Sequence, residues 1–498
     1  MYGGQCPPTR QNGYLELSSC CTGKPVGSPV NPYCVSASQN TSSSSSAPDL
    51  GPVRKGPGAG KGWDLLYAIL LAVGFPVLLW RRFVRRKDIE GGREKRGYVQ
   101  DRAPHPQRIW IHSVSMGEAL ASGVLVKALR KDLPDAEIVF STSTQTGQEV
   151  VRKNYGAEHC LYYPYDFSTC VKRCLDRVKP VLVVLMELEV WPNLTAECAA
   201  RGIPVVVVNG RISDKSVGRY RRCAFLLRPS FRRVRRWLMQ SEDYAERARA
   251  IGVEPARVEV TGNLKYDGVD TRSLTPASRA EACAMLGLPA HARVLLGGST
   301  HPSEELVLLA AYLRLSEKIK ELRLVLVPRH PHRHQPVEQD IVACGLPCVR
   351  LSNIKAQGAA AFARLSAESR ARAVVLVDTM GELNQLYRAA EVAFVGGSLI
   401  AHGGQNVMEP AGMGLPTIYG PHMHNFSEAV EILRGVSGGV MVSTAAEVAV
   451  AFETLLTSPD EATALGARAR EALLKRQGAT ATCVEYLKTL VPNSTPLA

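Results

Sequence analysis

The stretch VAFVGGSLIAHGGQNVMEPAGMGLPTIYG, residues 392–420, contains the pattern that decides the fold. An apolar run of strand length leads into a glycine-rich turn, then a short helix-like segment, and then a second apolar run. Short runs rich in Val and Ile that alternate with helical spacers are typical of parallel sheets covered on both faces. The stretch therefore predicts a strand-turn-helix-strand unit of an α/β domain.

Similar apolar runs form two series along the chain. The first series comprises IWIHSV (109–114), EIVFSTS (137–143), PVLVVLME (180–187), PVVVVNG (204–210) and VEVTG (258–262). The second comprises RVLLGGS (293–299), RLVLVPRH (323–330), RAVVLVD (372–378), VAFVGGS (392–398) and PTIYG (416–420). Two successive series predict two Rossmann-like, doubly wound domains that face a cleft, residues 100–275 and 285–490.

Polar and glycine-rich segments follow the strands of the second series. Ligands of such sheets bind beyond the carboxyl ends of the strands. Residues 406–409 are predicted to open a helix whose free amides suit a phosphate, and Glu409 offers two acceptor oxygens to a ribose diol. Glycines after a strand can indicate only a tight turn. Together with a second turn at residues 380–382 and with Arg329 at a neighbouring strand end, however, they predict a nucleotide site.

The first series carries carboxylates at two strand ends. The segment WIHSVSMGEAL, residues 110–120, places Glu118 at the start of a helix. A carboxylate there commonly does no more than complement the helix dipole, but one that faces a cleft is a natural general base. The segment MELEVWPN, residues 186–193, carries Glu187 and Glu189, and we expect only one of these two to face the cleft.

The N-terminal region is predicted to lie outside both domains. Residues 65–80, LLYAILLAVGFPVLLW, are followed at once by RRFVRRK. The run is slightly shorter than the roughly 20 residues of a spanning helix, but its one-sided cationic flank predicts a membrane-anchor helix over residues 63–84, with the domains on the cytoplasmic side. The alternative is a buried core helix. Residues 1–62, rich in Ser, Gly and Pro, are predicted to form a disordered leader.

Charge and cysteine usage narrow the classes of partner. The net charge of +14 suits nucleic acid, an anionic membrane or a phosphorylated substrate. Basic residues crowd residues 81–87 and 219–236 with few aromatic side chains between them, which favours phosphates or lipid head groups and argues against a nucleic-acid partner. Of the 13 cysteines, four lie in the leader, and the other nine show no paired spacing, which predicts reduced thiols.

Ten ordered motifs resemble the 3-deoxy-D-manno-octulosonic acid (Kdo) transferase family. These motifs are HSVSMGE, STSTQTG, YYPYD, MELEVWPN, NGRIS, TGNLKYD, GSTHPSEE, LVPRHPHR, DTMGELNQLY and FVGGSLIAHGGQNVMEPA. The resemblance covers the chain from the anchor to the C-terminus. It implies a GT-B fold and an inverting glycosyltransferase that moves Kdo from CMP-Kdo to the lipid A precursor, lipid IVA, in lipopolysaccharide biosynthesis. It also implies that no metal or other cofactor takes part, and that the enzyme lies at the bacterial inner membrane.

The resemblance also implies roles for individual residues. Glu118 matches the catalytic base of the family. The segments that bind CMP match Pro328, Arg329, Met380, Gly381, Glu382, Asn406, Val407, Met408 and Glu409. Supporting or acceptor-binding roles are predicted for Glu187, Glu189, Arg211 and Lys265. This chain departs from the family at Leu188, where Thr is common, and at residues 407–408, where Pro-Leu is common.

Two other functions remain compatible with the pattern. One is another membrane-associated GT-B transferase that uses a UDP-sugar. The other is a catalytically inactive nucleotide-binding membrane protein, which the combination of Glu118 with a complete nucleotide half-site disfavours. A metal site at His330, His332 and His334 is disfavoured because the prolines and arginines around them indicate a loop, and no acidic or Cys partner accompanies them.

Overall fold

Two seven-stranded parallel sheets organise the chain. The computed structural model describes residues 60–72 and 90–492. Most of the predicted leader, residues 1–59, therefore lies outside the described residues. So do residues 73–84 of the predicted anchor.

The first sheet contains every strand between residues 108 and 260. Its strands are β1 (Arg108–Ser113), β2 (Glu137–Thr142), β3 (Cys160–Tyr162), β4 (Leu182–Met186), β5 (Val205–Gly210), β6 (Arg236–Met239) and β7 (Val258–Val260). They pair in the order β3-β2-β1-β4-β5-β6-β7, and all pairs are parallel. The strand order reverses between β1 and β4, so the crevice of a doubly wound sheet lies beyond the ends of these two strands.

The second sheet repeats this plan. Its strands are β8 (Arg293–Thr300), β9 (Leu322–Pro328), β10 (Cys348–Arg350), β11 (Val374–Leu376), β12 (Val392–Val395), β13 (Thr417–Tyr419) and β14 (Val440–Met441). They pair in the order β10-β11-β9-β8-β12-β13-β14, again all parallel. The order reverses between β8 and β12. These two sheets confirm the predicted architecture of two doubly wound, parallel α/β domains.

Helices connect successive strands. In the first part of the chain they are α1 (61–72), α2 (Gly92–Lys95), α3 (Met116–Asp132), α4 (Gln145–Tyr155), α5 (Ser168–Val178), α6 (Pro192–Arg201), α7 (Asp214–Arg222), α8 (Ala224–Arg233), α9 (Glu242–Ala250) and α10 (Leu264–Asp267). In the second part they are α11 (Pro276–Met285), α12 (Glu304–Ser316), α13 (His334–Ala343), α14 (Leu351–Gln357), α15 (Ala367–Arg372), α16 (Leu383–Leu386), α17 (Met408–Gly412), α18 (Ser427–Gly435), α19 (Ala445–Thr457), α20 (Pro459–Leu474) and α21 (Ala479–Lys488).

Both faces of the first sheet are buried. Alternate residues of β4 enter different apolar clusters: Val183 and Leu185 pack on one face, and Leu182, Val184 and Met186 on the other. All five side chains are inaccessible to solvent. This two-sided burial explains why the strands read as continuous apolar runs instead of alternating ones.

The final helix returns to the first sheet. Cys483, Val484 and Leu487 of α21 lie in the same apolar cluster as Leu125 and Leu129 of α3. The range predicted for the second domain, residues 285–490, includes this helix. The apolar pattern of a helix shows which of its faces is buried, but not which of two neighbouring cores it covers.

Helix α1 is held against the first sheet by polar contacts. Asp64 accepts a hydrogen bond from the amide of Ser168 at 2.8 Å and one from the Asn193 amide group at 3.1 Å. The Tyr67 hydroxyl donates to Asp166 at 2.9 Å. Leu65 and Leu70 on the same helix are exposed, at 63% and 59%. Among residues 60–72 and 90–492, no helix is both long enough and apolar enough to cross a membrane.

Candidate active site

Glu118 lies at the switch point of the first sheet, directly after β1. Ser115 caps α3, and the Glu118 carboxylate accepts hydrogen bonds from the Val114 amide at 2.7 Å and from the Ser115 hydroxyl at 3.0 Å. These local bonds fix the half-buried carboxylate at the carboxyl end of the strand. Each oxygen keeps a lone pair that can accept a further proton.

Two more carboxylates lie close to Glu118. Burial raises the pKa of Glu187, and the charge of Glu118 raises it further, while Arg211 and Lys265 act in the opposite direction. Burial also raises the pKa of Glu189, where the hydrogen bond from the Trp191 ring opposes the effect and Glu118 adds to it. Glu118 therefore has acidic neighbours after β4, and two cations lie near Glu187.

The expectation that only one of Glu187 and Glu189 faces the cleft is wrong. Both interact electrostatically with Glu118. Residues two apart in an extended segment share a face, so the spacing gave no reason to separate them. In addition, β4 ends at Met186, and Glu187 adopts a φ of 57°, which takes it out of strand geometry.

Lys265 is positioned by contacts between two motifs of the first sheet. The Asn209 side chain, at the end of β5, accepts a hydrogen bond from the Leu264 amide at 3.1 Å and so fixes the start of α10. Tyr266, the residue after Lys265, packs in an apolar cluster with Val407 and Met408 of the second sheet region. Helix α10 therefore places Lys265 near Glu187 while it contacts the predicted nucleotide segment.

Arg329 and Glu409 lie near each other at the ends of second-sheet strands. Pro328 closes β9, and Arg329 follows it with its amide bonded to the Thr300 carbonyl at 3.0 Å. Burial raises the pKa of Glu409, while a hydrogen bond from Asn406 at 3.0 Å and the charge of Arg329 act to lower that pKa. The half-buried Glu409 carboxylate keeps lone pairs that can accept further hydrogen bonds from a ligand such as a diol.

The segment of residues 406–409 contributes mainly its backbone. Val407 and Met408 are 0% and 7% exposed, so their side chains belong to the core. Helix α17 begins at Met408, and the Asn406 side chain accepts a hydrogen bond from the Met408 amide at 3.2 Å. Gly412 in this helix permits close approach of the chain after α10, because a Cβ there would lie 2.2 Å from the Val269 side chain.

The turn of residues 380–382 contacts a cation that the sequence did not single out, Lys355 of α14. Gly381 has a φ of 87°, and Met380 is 58% exposed. Burial acts to raise the pKa of Glu382, but hydrogen bonds from Lys355 and Thr379 outweigh it and hold that pKa below its usual value. The Glu382 side chain is therefore engaged within the protein, which leaves the backbone of the turn to face a ligand.

The structure also brings together residues at the second switch point that the sequence did not reveal. The fully buried Glu304 carboxylate accepts hydrogen bonds from four backbone amides, those of His301, Gly397, Ser398 and Leu399, at 2.7–3.0 Å. This clamp fixes the loop after β12 against the end of β8. The Gly-rich loop after β12 and the glutamate in GSTHPSEE can both be seen in the sequence. Their contact joins residues more than 90 positions apart, and the sequence does not indicate it.

The described histidines, cysteines and carboxylates do not form a metal-binding group of three or more. His330 and His332 stack with ring centroids 5.4 Å apart, and His330 also lies 5.7 Å from His301. The nine described cysteines all have free thiols.

Two known proteins with similar sequences have the same description as a matching family profile. A profile of the family described as "3-Deoxy-D-manno-octulosonic-acid transferase (kdotransferase)" matches residues 90–268. The 3-deoxy-D-manno-octulosonic acid transferase of Haemophilus influenzae is 32% identical over 436 residues, covering 86% of this chain and 98% of that protein. The Bordetella pertussis protein of the same name is 31% identical over 437 residues, covering 83% and 96%.

A solved structure is similar to part of the chain. It is described as the C-terminal CMP-Kdo binding domain of WaaA from Acinetobacter baumannii, with 28% sequence identity and a TM-score of 0.34, and it covers 40% of this chain and 99% of that domain. The extent of similarity to the two full-length transferases decides the family. The chain is a glycosyltransferase that belongs to the 3-deoxy-D-manno-octulosonic acid (Kdo) transferase family.

Proposed function

We propose that this enzyme transfers Kdo from CMP-Kdo to the lipid A precursor, lipid IVA, with inversion and without a metal. Glu118 removes the proton from the attacking acceptor hydroxyl. The phosphate of CMP leaves with its charge stabilised by Arg329 and by backbone amides, which needs no cofactor.

The observation that carries this proposal is the pairing of two half-sites. Glu118 lies at the switch point of the first sheet, and Arg329 and Glu409 lie beyond strand ends of the second. The first half-site holds an oriented carboxylate, so it suits an acceptor hydroxyl. The second holds a cation beside a carboxylate that can bind a diol, so it suits a nucleoside monophosphate.

Individual CMP contacts follow from this arrangement. Glu409 binds the ribose hydroxyls, with Asn406 orienting its carboxylate. Pro328 and Arg329 lie at the phosphate, and the backbone of residues 380–382 and 407–408 completes the pocket. Supporting this, Val407 and Met408 are anchored in the core, so their amides are held at fixed positions.

The acceptor and the membrane are proposed to lie on the side of the first sheet. Arg219, Arg221 and Arg222 on α7 are exposed, and none of the three pairs with a carboxylate among the residues that the structure describes. Together with Arg211 and Lys265 they offer cations to the phosphates of a glycolipid. We assign residues 63–84 as the membrane anchor at the cytoplasmic face of the inner membrane, in keeping with the exposed leucines of α1.

A donor-choice assay tests the proposal. Purified protein is incubated with lipid IVA and either CMP-Kdo or UDP-GlcNAc, and the lipid product is analysed by mass spectrometry. We expect a mass gain of one or more Kdo residues with CMP-Kdo only. Transfer from UDP-GlcNAc would refute the assigned donor, and lack of transfer from either would refute the assigned reaction.

A further inference from the structure

His301 occupies the switch point of the second sheet, directly after β8. Its side chain is 4% exposed. The rings of His402 and His330 flank it, with centroids 4.2 and 5.7 Å away. The proposed function gives none of these three histidines a role, although His301 and His330 lie near Arg329.

The hydrogen bonds of His301 leave one ring nitrogen without a partner. Nδ1 lies 3.1 Å from the Ser299 carbonyl oxygen. A carbonyl can only accept, so Nδ1 carries a proton. Nε2 is buried and has no hydrogen-bond partner among residues 60–72 and 90–492. A neutral ring therefore presents a bare lone pair at Nε2, and a protonated ring presents a donor.

The charged groups around His301 favour an anion at this nitrogen. His402, His330 and Arg329 face the ring, and all are cationic or can become so. The nearby Glu304 carboxylate is already bound by four backbone amides, including that of His301 itself. Burial, followed by the effect of His402, lowers the pKa of His301 and so favours the neutral ring, whereas an anion at Nε2 would favour the protonated ring.

The chemistry of the donor supplies such an anion. In a CMP-linked 2-keto sugar acid, the carboxylate and the oxygen that leads to phosphorus are attached to the same carbon. A phosphate at Arg329 therefore places the carboxylate within a few bonds of it. The Arg329 amide is bonded to the Thr300 carbonyl, next to His301.

We propose that His301 binds the carboxylate of the transferred sugar acid through a protonated Nε2, and so selects CMP-activated keto acids over nucleotide sugars that lack this group. The inference rests on the proposed CMP-Kdo donor. The proton comes from solvent when the donor binds, and no covalent bond changes at His301. Gly397 leaves room for this arrangement, because a Cβ there would lie 3.3 Å from Cε1 of the ring.

The test compares His301→Asn with the matched variant His291→Asn, which changes an exposed histidine beside Glu321. For His301→Asn we expect kcat/KM for CMP-Kdo to fall by about 10- to 100-fold, as for loss of a hydrogen bond to a charged group, with the Kd for CMP unchanged. The wild-type kcat/KM should decline as pH rises from 6 to 8.5, and His301→Asn should remove this decline. His291→Asn should match the wild type throughout.

Calorimetry in two buffers of different ionisation enthalpy provides a second measurement. Without acceptor, binding of CMP-Kdo to the wild type at pH 7.5 should take up as much as one proton, and binding of CMP close to none. Equal proton uptake for both ligands, or equal losses of CMP and CMP-Kdo binding in His301→Asn, would overturn the assignment to the carboxylate. The proposed function would survive either result, since it fails only if the wild type does not use CMP-Kdo.

Discussion

At the scale of single residues, the site combines side chains whose role depends on local geometry with others that depend on distant partners. Glu118 belongs to the first kind, because its carboxylate is oriented by the residues three and four positions before it. The position of the Glu118 carboxylate can therefore be predicted largely from the local motif SVSMGE. His301 and Glu304 belong to the second kind, because the loop that they contact lies about 95 residues further along the chain.

Replacing Glu118 by Gln should stop transfer without affecting the nucleotide. The amide keeps the size of the side chain but cannot accept a proton, so kcat should fall by about 10²- to 10⁴-fold. The Kd for CMP should stay within twofold of the wild type, since Glu118 follows β1 of the other sheet. Steady-state kinetics and calorimetry measure the two quantities. A parallel loss of CMP binding would instead make Glu118 a structural helix cap.

Replacing Arg329 and Glu409 by Ala should separate the two parts of the nucleotide. Loss of Glu409 should weaken cytidine and CMP alike, by about 1.5–3 kcal/mol, because both ligands carry the ribose diol. Loss of Arg329 should weaken CMP and leave cytidine nearly unchanged, because only CMP carries a phosphate. Titration calorimetry with both ligands tests this assignment, which fails if Arg329→Ala weakens cytidine as much as CMP.

At the scale of elements, ten of the fourteen described strands were predictable from apolar runs, and four were not. The ten predicted apolar runs, most of which end in polar or glycine residues, correspond to ten strands: β1, β2, β4, β5, β7–β9 and β11–β13. The runs of three or four residues at β3, β6 and β10, and the two residues of β14, were missed. Pairing with a neighbouring strand, and not a clear apolar run of their own, makes these four segments strands.

The contact between α1 and the first sheet should depend on pH through Asp166. Burial raises the pKa of this carboxyl to about 7, despite amide hydrogen bonds from Asn193 and Leu194 and one from Tyr67. The native state therefore holds a proton that the unfolded chain releases near pH 4. The contribution of Asp166 to the free energy of unfolding is therefore highest below about pH 4, falls as the pH rises towards 7, and then levels off.

Comparison with Asp166→Asn isolates this effect, because Asn cannot ionise. Thermal unfolding of both proteins between pH 4.5 and 8.5 should show the wild type losing stability relative to the variant up to about pH 7. The loss corresponds to about 1.4 kcal/mol for each unit of pKa change. Loss of the Asp166 hydrogen bonds adds an offset that is the same at every pH. A pH-independent difference between the two proteins would show that Asp166 is ionised in the native state.

At the scale of the whole molecule, the two switch points and the return of the last helix determine how the half-sites are supported. In the first sheet, Glu118, Glu187 and Glu189 follow β1 and β4, the two strands where the strand order reverses. In the second sheet, residues 406–409 follow β12 at the point of reversal, whereas Arg329 follows β9, the neighbour of β8. The sequence predicts that ligands bind beyond the carboxyl ends of the strands, but it does not show where the strand order reverses. It does not predict that α21 covers α3, the helix that begins two residues before Glu118.

That contact makes α21 a support for the acceptor half-site, and Leu487→Ala tests it. Leu487 is fully buried among Leu125, Leu129 and their neighbours, so its truncation should lower the free energy of unfolding by about 2–5 kcal/mol. The control is Glu485→Ala, at an exposed position of the same helix, where the change should stay within about 0.5 kcal/mol. Hydrogen exchange should become faster in α3 and remain unchanged in β8, because α21 packs on the first sheet. If exchange accelerates in β8 and not in α3, the helix stabilises the second sheet, and the proposed support of Glu118 is wrong.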